Sequence, residues 1–295
     1  MRYRPFAQLA RATAISVAAL MQVVSPAHAG TVDGGAITAE EAKRKINLAG
    51  RQRMLSQRIA MALCLAEAGV KPAEMRALAM TSAEVFDQTL RELRMGGSGT
   101  SLPPETDPRV LELLAQVETL WAEYSDAIRA QANGAGPGGL ARIRDVNPPL
   151  LAAMNAAVGA MDEAYGEGLL HPDLARVINV AGRPRMLIQK TMKETCLAVM
   201  GPEPAADAEA AATTAQLFTL TLVALRNGDP ADDIMSPPAW EIEAQLELVD
   251  SLWTGMMDEH DRALDADKGA LDRLHTISEQ ALKEMNNAVY VYETI

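Results

Sequence analysis

Two arginines at equivalent positions of an internal repeat, Arg53 and Arg185, are the residues of this 295-residue sequence with the clearest chemical potential. They lie in two closely similar stretches, INLAGRQRMLSQR at 46–58 (the first box) and INVAGRPRMLIQK at 178–190 (the second box). A guanidinium group presents a planar fork of donors that suits a small planar oxyanion such as nitrate, nitrite or a carboxylate. The repeated arginines therefore predict an anion site built from both boxes.

Each box reads as part of a helix with two buried faces. At 100° per residue, one face of the first box is apolar, and the other has Arg53 at its centre among small residues. The second box presents the same two faces. If the small-residue faces pack together, Arg53 and Arg185 converge and repel each other unless an anion lies between them. The expected ligand-binding residues are Gly50, Arg53 and Gln57 with their counterparts Gly182, Arg185 and Gln189.

A purely structural role for Arg53 and Arg185 stays open at this point. Each arginine could pair with an acidic side chain of a neighbouring helix, since burying an unpaired charge is very costly. Repetition of the whole box favours a ligand, because core packing alone rarely requires so much identity. The other basic residues of the boxes, such as Arg51 and Arg58, point away from the shared face and are expected to form ion pairs.

The two cysteines, Cys64 and Cys196, lie on the same helix faces as the arginines, three turns further along. In an oxidising compartment an even number of cysteines favours a disulfide. The alternative is two buried free thiols that act as small apolar residues. The four histidines show no metal-ligand spacing, and no nucleophile or phosphate-binding motif occurs. We therefore expect no metal, no cofactor and no catalysis.

The elements that must position the boxes follow from the repeat itself. Copies at an offset of 132 residues extend to Phe86 and Phe218 and to Trp121 and Trp253, which indicates two copies of one structural unit. Helical periodicity and the positions of Pro and Gly predict helices at about 38–69, 72–95 and 108–132, and a fourth that ends near 165 and is interrupted by Pro148-Pro149. The second copy predicts helices at about 172–200, 204–226, 237–264 and from 268 onward.

Four helices joined by short loops predict an up-down-up-down bundle. The predicted fold is all-α, with two tandem four-helix bundles at 30–168 and 169–295. The joint between them is short, so the first helices of the two bundles can lie side by side and parallel. The result would be a pseudo-dimer within one chain.

The first 29 residues have the features of a signal peptide: a basic start, an apolar stretch and an Ala-His-Ala cleavage site. This predicts an exported, periplasmic protein. No later stretch approaches the length of a membrane-spanning helix, so no membrane insertion is expected. The formal net charge of −12 makes nucleic acid an unlikely partner and requires any anion site to be local.

The first box resembles the signature of the periplasmic sensor domain shared by nitrate/nitrite sensor histidine kinases and type IV pilus methyl-accepting chemotaxis transducers. A weaker similarity, Leu-x-x-Met-Asn-x-x-Val, lies in the fourth helix of each copy. The resemblance implies a four-helix bundle that binds nitrate at a dimer interface through Arg53 and Arg185, with Gly50 and Gly182 one turn earlier. Pro184 and the replacement of Ser56 by Ile188 put the second half-site in doubt.

The resemblance also implies a sensing role. Sensors of that family are membrane-anchored and carry signalling modules, whereas this chain is expected to end with its last helix and to have no output domain. The predicted function is periplasmic binding or sensing of nitrate or nitrite. The alternative is a helical interaction protein that docks on a membrane receptor or transporter and binds no anion.

Overall fold

The computed structural model describes residues 37–166, 168–267 and 269–294, and these form eight α-helices with no strand longer than an isolated bridge. The predicted signal peptide at 1–29 lies outside the described residues. The helices are α1 (Ala39–Glu67), α2 (Pro72–Met95), α3 (Pro108–Ala132), α4 (Gly136–Gly166), α5 (Pro172–Met200), α6 (Pro204–Asn227), α7 (Trp240–Leu264) and α8 (Ala270–Thr294). The all-α prediction is confirmed.

Local sequence signals account for where most helices begin. Thr38 and Glu41 form a reciprocal capping box at the start of α1, and the Asp107 carboxylate caps α3 by accepting from the backbone N–H of Val110 at 2.9 Å. Proline occupies the first turn of α2, α3, α5 and α6, where its missing N–H has no intrahelical partner to lose.

The structure differs from the sequence prediction in the continuity of α4 and in the start of α7. Helix α4 continues through Pro148 and Pro149, which lie on its exposed side, where water can satisfy the carbonyls that lose their donors. Helix α7 begins at Trp240 and not at Pro237, because Pro237 is itself followed by Pro238 and a residue before proline disfavours the helical conformation.

The helices form two bundles with matching internal packing. Helices α1–α4 form one bundle and α5–α8 the other, and the buried side chains of both belong to one continuous hydrophobic core. A stacked aromatic pair joins the second and third helix of each bundle. The ring centroids are 4.1 Å apart for Phe86 and Trp121, and 3.8 Å apart for Phe218 and Trp253. This shared detail is what two copies of one folding unit should show.

Helices α1 and α5 run side by side between the two bundles and make the most extensive interhelical contact in the described chain. We call this contact the seam. Equivalent residues meet along it at two levels, the arginines of the boxes and, eleven positions later, the cysteines. Two equivalent pairs can meet only if the helices are parallel and in register, as the pseudo-dimer requires.

Helix α6 corrects one expectation from the sequence. It is long and apolar enough to span a membrane by length and composition, with a window of mean hydropathy 1.3 of which 33% is buried. The sequence had been expected to contain no such stretch after the predicted signal peptide. Phe218, Leu222 and Leu225 of this helix are buried in the second bundle.

Candidate anion-binding site

Arg53 and Arg185 meet at the centre of the seam. Each arginine is only 3% exposed. The Nη2 atoms of both lie within 3.2 Å of the position that a Cβ atom would take on Gly182, and within 3.5 Å of the corresponding position on Gly50. The two Nη2 atoms are therefore at most about 6.4 Å apart. One acceptor atom with bonds of about 2.9 Å can bridge two donors up to about 6 Å apart.

The two glycines make this convergence possible. Each lies one turn before its own arginine, and the absence of a side chain leaves the space that the guanidinium groups occupy. A Cβ atom at either position would lie 3.1–3.5 Å from the nearest Nη2 atoms, which is a tight contact at the short end of this range. The Gly-x-x-Arg spacing of the boxes thus has a direct structural cause.

Neutral groups hold the two guanidiniums in place. The Nη1 atom of Arg53 donates to Asn155 Oδ1 at 3.4 Å, and that of Arg185 donates to Asn286 Oδ1 at the same distance. Both asparagines come from the fourth helix of the respective bundle. The Nη2 atom of Arg53 also donates to the carbonyl oxygen of Asn179 at 3.1 Å, across the seam.

Three buried guanidinium nitrogens have no hydrogen-bond partner within the described chain. They are Nε of Arg53 and both Nε and Nη2 of Arg185. Buried polar groups are normally paired, so orphaned donors of a charged group indicate a missing partner. The two copies differ here, because Arg53 has one orphaned nitrogen and Arg185 has two.

Neither arginine forms a salt bridge with any carboxylate among the residues described. The nearby acids are engaged elsewhere: Asp162 accepts from Asn179 Nδ2 at 3.0 Å, and Glu293 accepts from Asn47 Nδ2 at 2.5 Å. These two asparagine–acid pairs occupy equivalent positions and each joins one bundle to the other. The structural alternative, in which each arginine is paired with an acid, is not what the structure shows.

Burial without a counter-ion disfavours the charged form of both arginines. Burial, and then the positive charges of Arg183 and Arg185, lower the pKa of Arg53 to about 9. Burial, and then Arg51, lower the pKa of Arg185 to about 10. Both side chains remain cationic at neutral pH, and the negative charges of Asp162 and Glu293 offset theirs only in part.

The two glutamines of the predicted site lie in separate contacts and not against the arginines. Gln57 Oε1 accepts from Lys193 Nζ at 2.9 Å, while Gln189 Oε1 lies 3.5 Å from Arg58 Nη1. Lys193 has no counterpart, since Met61 occupies the equivalent position in the first copy. Burial lowers the pKa of Lys193 to about 8.

The outer basic residues of the boxes differ from one another. Arg58 makes a bidentate ion pair with Glu279, at 2.6 and 2.5 Å, and Lys190 pairs with Glu194 at 2.5 Å, as the sequence predicted. Arg51, for which an ion pair was also expected, has no acidic partner among the described residues. The helical wheel places a side chain on a face but does not supply a partner on it.

Cys64 and Cys196 form a disulfide across the seam, with their Cα atoms 6.1 Å apart. It lies three turns beyond the arginines and fixes the register of α1 on α5. Both asparagines that hold the guanidiniums belong to the Leu-x-x-Met-Asn-x-x-Val similarity of the fourth helices. Within the residues described, no cluster of three or more His, Cys, Asp or Glu could hold a metal ion.

One family model matches both halves of the chain. It is described as PilJ, the type IV pili methyl-accepting chemotaxis transducer N-terminal domain, and it covers residues 38–139 and 173–280. Each match begins at the first helix of a bundle and includes one box. A search of curated proteins finds no match.

Proposed function

We propose that this chain, which belongs to the family of type IV pili methyl-accepting chemotaxis transducer N-terminal domains, senses nitrate or nitrite by binding it between Arg53 and Arg185. The family is a non-catalytic signalling family, and its membership supports a sensing role. Family membership does not say which ligand the protein binds. The identity of the ligand is argued from the chemistry of the seam.

One observation carries the proposal: two buried guanidiniums converge and have no carboxylate partner in the described chain. The orphaned donors number three, and nitrate offers three coplanar oxygens. One oxygen can bridge the two arginines while the others accept from the Nε atoms. The planar fork of arginine favours such an ion over a spherical one.

Electrostatics supply the coupling between ligand and structure. Without an anion, the two cations repel each other across α1 and α5 in an environment that stabilises charge poorly. With an anion bound, the charge is offset and the two bundles are held together. A ligand that interacts differently with two arrangements of the seam shifts the balance between them, which is the minimum requirement for a sensor.

A periplasmic location fits the same proposal. The signal-peptide features at 1–29 direct export, and the disulfide between Cys64 and Cys196 is stable in an oxidising compartment. External nitrate or nitrite would reach the protein there without crossing the inner membrane.

Isothermal titration calorimetry of nitrate into the purified protein tests the proposal. We expect one nitrate per chain, with binding lost in Arg53→Met and Arg185→Met, which keep the approximate volume of the side chain but remove the charge. Lys190→Met is the matched control, because this cation lies in the second box but pairs with Glu194 and not with the site. Equal heats for the wild type and both site variants would exclude anion binding at the seam.

A second candidate function, docking on a membrane receptor or transporter, is favoured by the outward face of α6. Leu217, Leu220 and Val223 are 43%, 60% and 49% exposed, and no charged residue occurs between 210 and 225. The equivalent face of α2 carries Gln88 and Arg91. A photo-crosslinker at position 220 should capture a membrane protein and one at position 88 should not; the same result at both positions would remove this candidate.

A further inference from the structure

A groove of about 710 Å³ lies between α1, α2 and α8 and reaches Arg185 at the seam. Its volume lies in the range of small-molecule sites and is far larger than nitrate requires. Four cationic side chains, two acidic ones and a larger apolar surface line it. The charged residues are Arg51, Arg58, Arg185, Lys283, Glu279 and Glu293.

The groove has an excess of unpaired positive charge. Glu279 is held by Arg58, and Glu293 accepts from Asn47. Arg51 and Lys283 are exposed and have no acidic partner in the described chain. In a protein of net charge −12, cations that remain unpaired in a cavity mark a local preference for an anion.

Arg185, the most buried of these cations, has hydrogen-bond donors without a partner in the described chain. Nε and Nη2 of Arg185 are buried and unpaired, and Arg185 lines the groove whereas Arg53 does not. Arg185 is therefore the arginine that can bind an anionic group entering from the groove. The cost of an unsatisfied buried donor favours any ligand that supplies the acceptor.

Two of the residues that line the groove have no chemical equivalent on the other side of the pseudo-dimer. Lys283 and Tyr290 of α8 correspond to Ala152 and Gly159 of α4, so the opposite side offers neither the cation nor the aromatic ring. Tyr290 is 66% exposed at the groove and makes no stacked pair. Aromatic side chains of this kind contribute stacking area to a ligand.

We propose that this groove binds an organic monocarboxylate with an aromatic or aliphatic body. The carboxylate lies among Arg51, Lys283 and Arg185, and the body lies on the apolar wall and against Tyr290. The apolar wall consists of Leu48, Met54, Leu55, Leu78, Val85 and Leu282. The inference rests on the proposed function only in sharing Arg185, so the two anions should compete.

Calorimetry with phenylacetate, and with phenylacetamide as its uncharged counterpart, tests the proposal on the whole protein. We expect saturable binding of one phenylacetate per chain and at least a tenfold weaker interaction with the amide. Lys283→Ala should weaken phenylacetate binding about tenfold and leave nitrate binding unchanged, and Arg51→Ala should weaken phenylacetate binding by a similar factor. Arg183→Ala, at the position equivalent to Arg51 on the other side, is the matched control and should bind phenylacetate normally.

Nitrate provides the remaining arm of the experiment. Saturating nitrate should weaken apparent phenylacetate binding, because both ligands use Arg185. Equal binding of the acid and the amide, or an unchanged affinity in Lys283→Ala, would each overturn the groove proposal. A lack of competition would overturn it as well if nitrate itself binds to the protein. Nitrate binding without phenylacetate binding would reject the groove and leave the proposed function intact. Phenylacetate binding without nitrate binding would reject the proposed function and leave the groove proposal intact.

Discussion

Replacing Arg185 by Met should separate two effects of the buried charge, one on the free protein and one on the protein with nitrate. In wild type, nitrate at a hundred times its dissociation constant should stabilise the folded state by about 2.7 kcal/mol. The folded unit spans 37–295, about 260 residues, and an unfolding entropy of about 2.1 cal/mol/K per residue gives roughly 0.54 kcal/mol/K. The expected rise in Tm is therefore about 5 °C.

The Arg185→Met protein should show no rise with nitrate. Without ligand its Tm should equal or exceed that of wild type, because the substitution removes an unpaired buried charge and keeps most of the side-chain volume. Differential scanning calorimetry in sodium nitrate and in sodium chloride of equal ionic strength measures both effects. A Tm rise in chloride equal to that in nitrate would indicate general screening, and a ligand-free Tm well below wild type would show that Arg185 already has a stabilising partner.

Three further predictions concern pH, the disulfide and the glycines. The facing arginines have pKa values of about 9 and 10, below the ordinary value of 12.5, so the folded state binds fewer protons than the unfolded state above about pH 9. Their destabilising effect on the folded protein is complete below that pH and lessens above it. Because the same loss of protons removes the charge that binds the anion, nitrate affinity measured by titration should fall between pH 9 and 11. Replacing both Cys64 and Cys196 by Ala removes a cross-link of 132 residues and should lower the free energy of unfolding by up to about 5 kcal/mol in a urea titration, whereas an unchanged midpoint would show that the bond adds nothing. Gly182→Ala should weaken nitrate binding at least tenfold, while Gly159→Ala, where a Cβ meets nothing within 4 Å, should bind normally; equal weakening by both would exclude occlusion as the cause.

The sequence predicted the fold because its evidence was redundant. The repeat implied two units, the helical period implied bundles, and the short joint between the bundles implied parallel first helices. Predictions that depended on one local signal were less reliable. Pro148 and Pro149 were expected to interrupt α4, but their exposed position lets the helix continue.

The parts of the site that are equivalent in the two copies could be predicted from the sequence. A residue placed on the shared face of α1 meets its counterpart on α5, so the approach of Arg53 to Arg185 followed from the helical wheel and the repeat. The contacts of Gln57 did not follow, because its partner Lys193 exists in only one copy. The roles of Asn155 and Asn286 depended on the register of the fourth helices, which side-chain spacing alone does not set.

Fusion of two copies in one chain explains why these departures occur. In a symmetric homodimer every substitution appears on both sides of the axis, so a lysine at the position of Lys193 would be present twice. A tandem chain is free of this constraint, and here one copy carries Met61 where the other carries Lys193, and Ala152 where the other carries Lys283. The pair of arginines keeps the proposed anion site symmetric, whereas the surrounding residues give its two sides different chemistry. A ligand that enters from the groove side would therefore meet Arg185 first, and a substitution at Arg185 that retains binding should slow nitrate association more than the same substitution at Arg53.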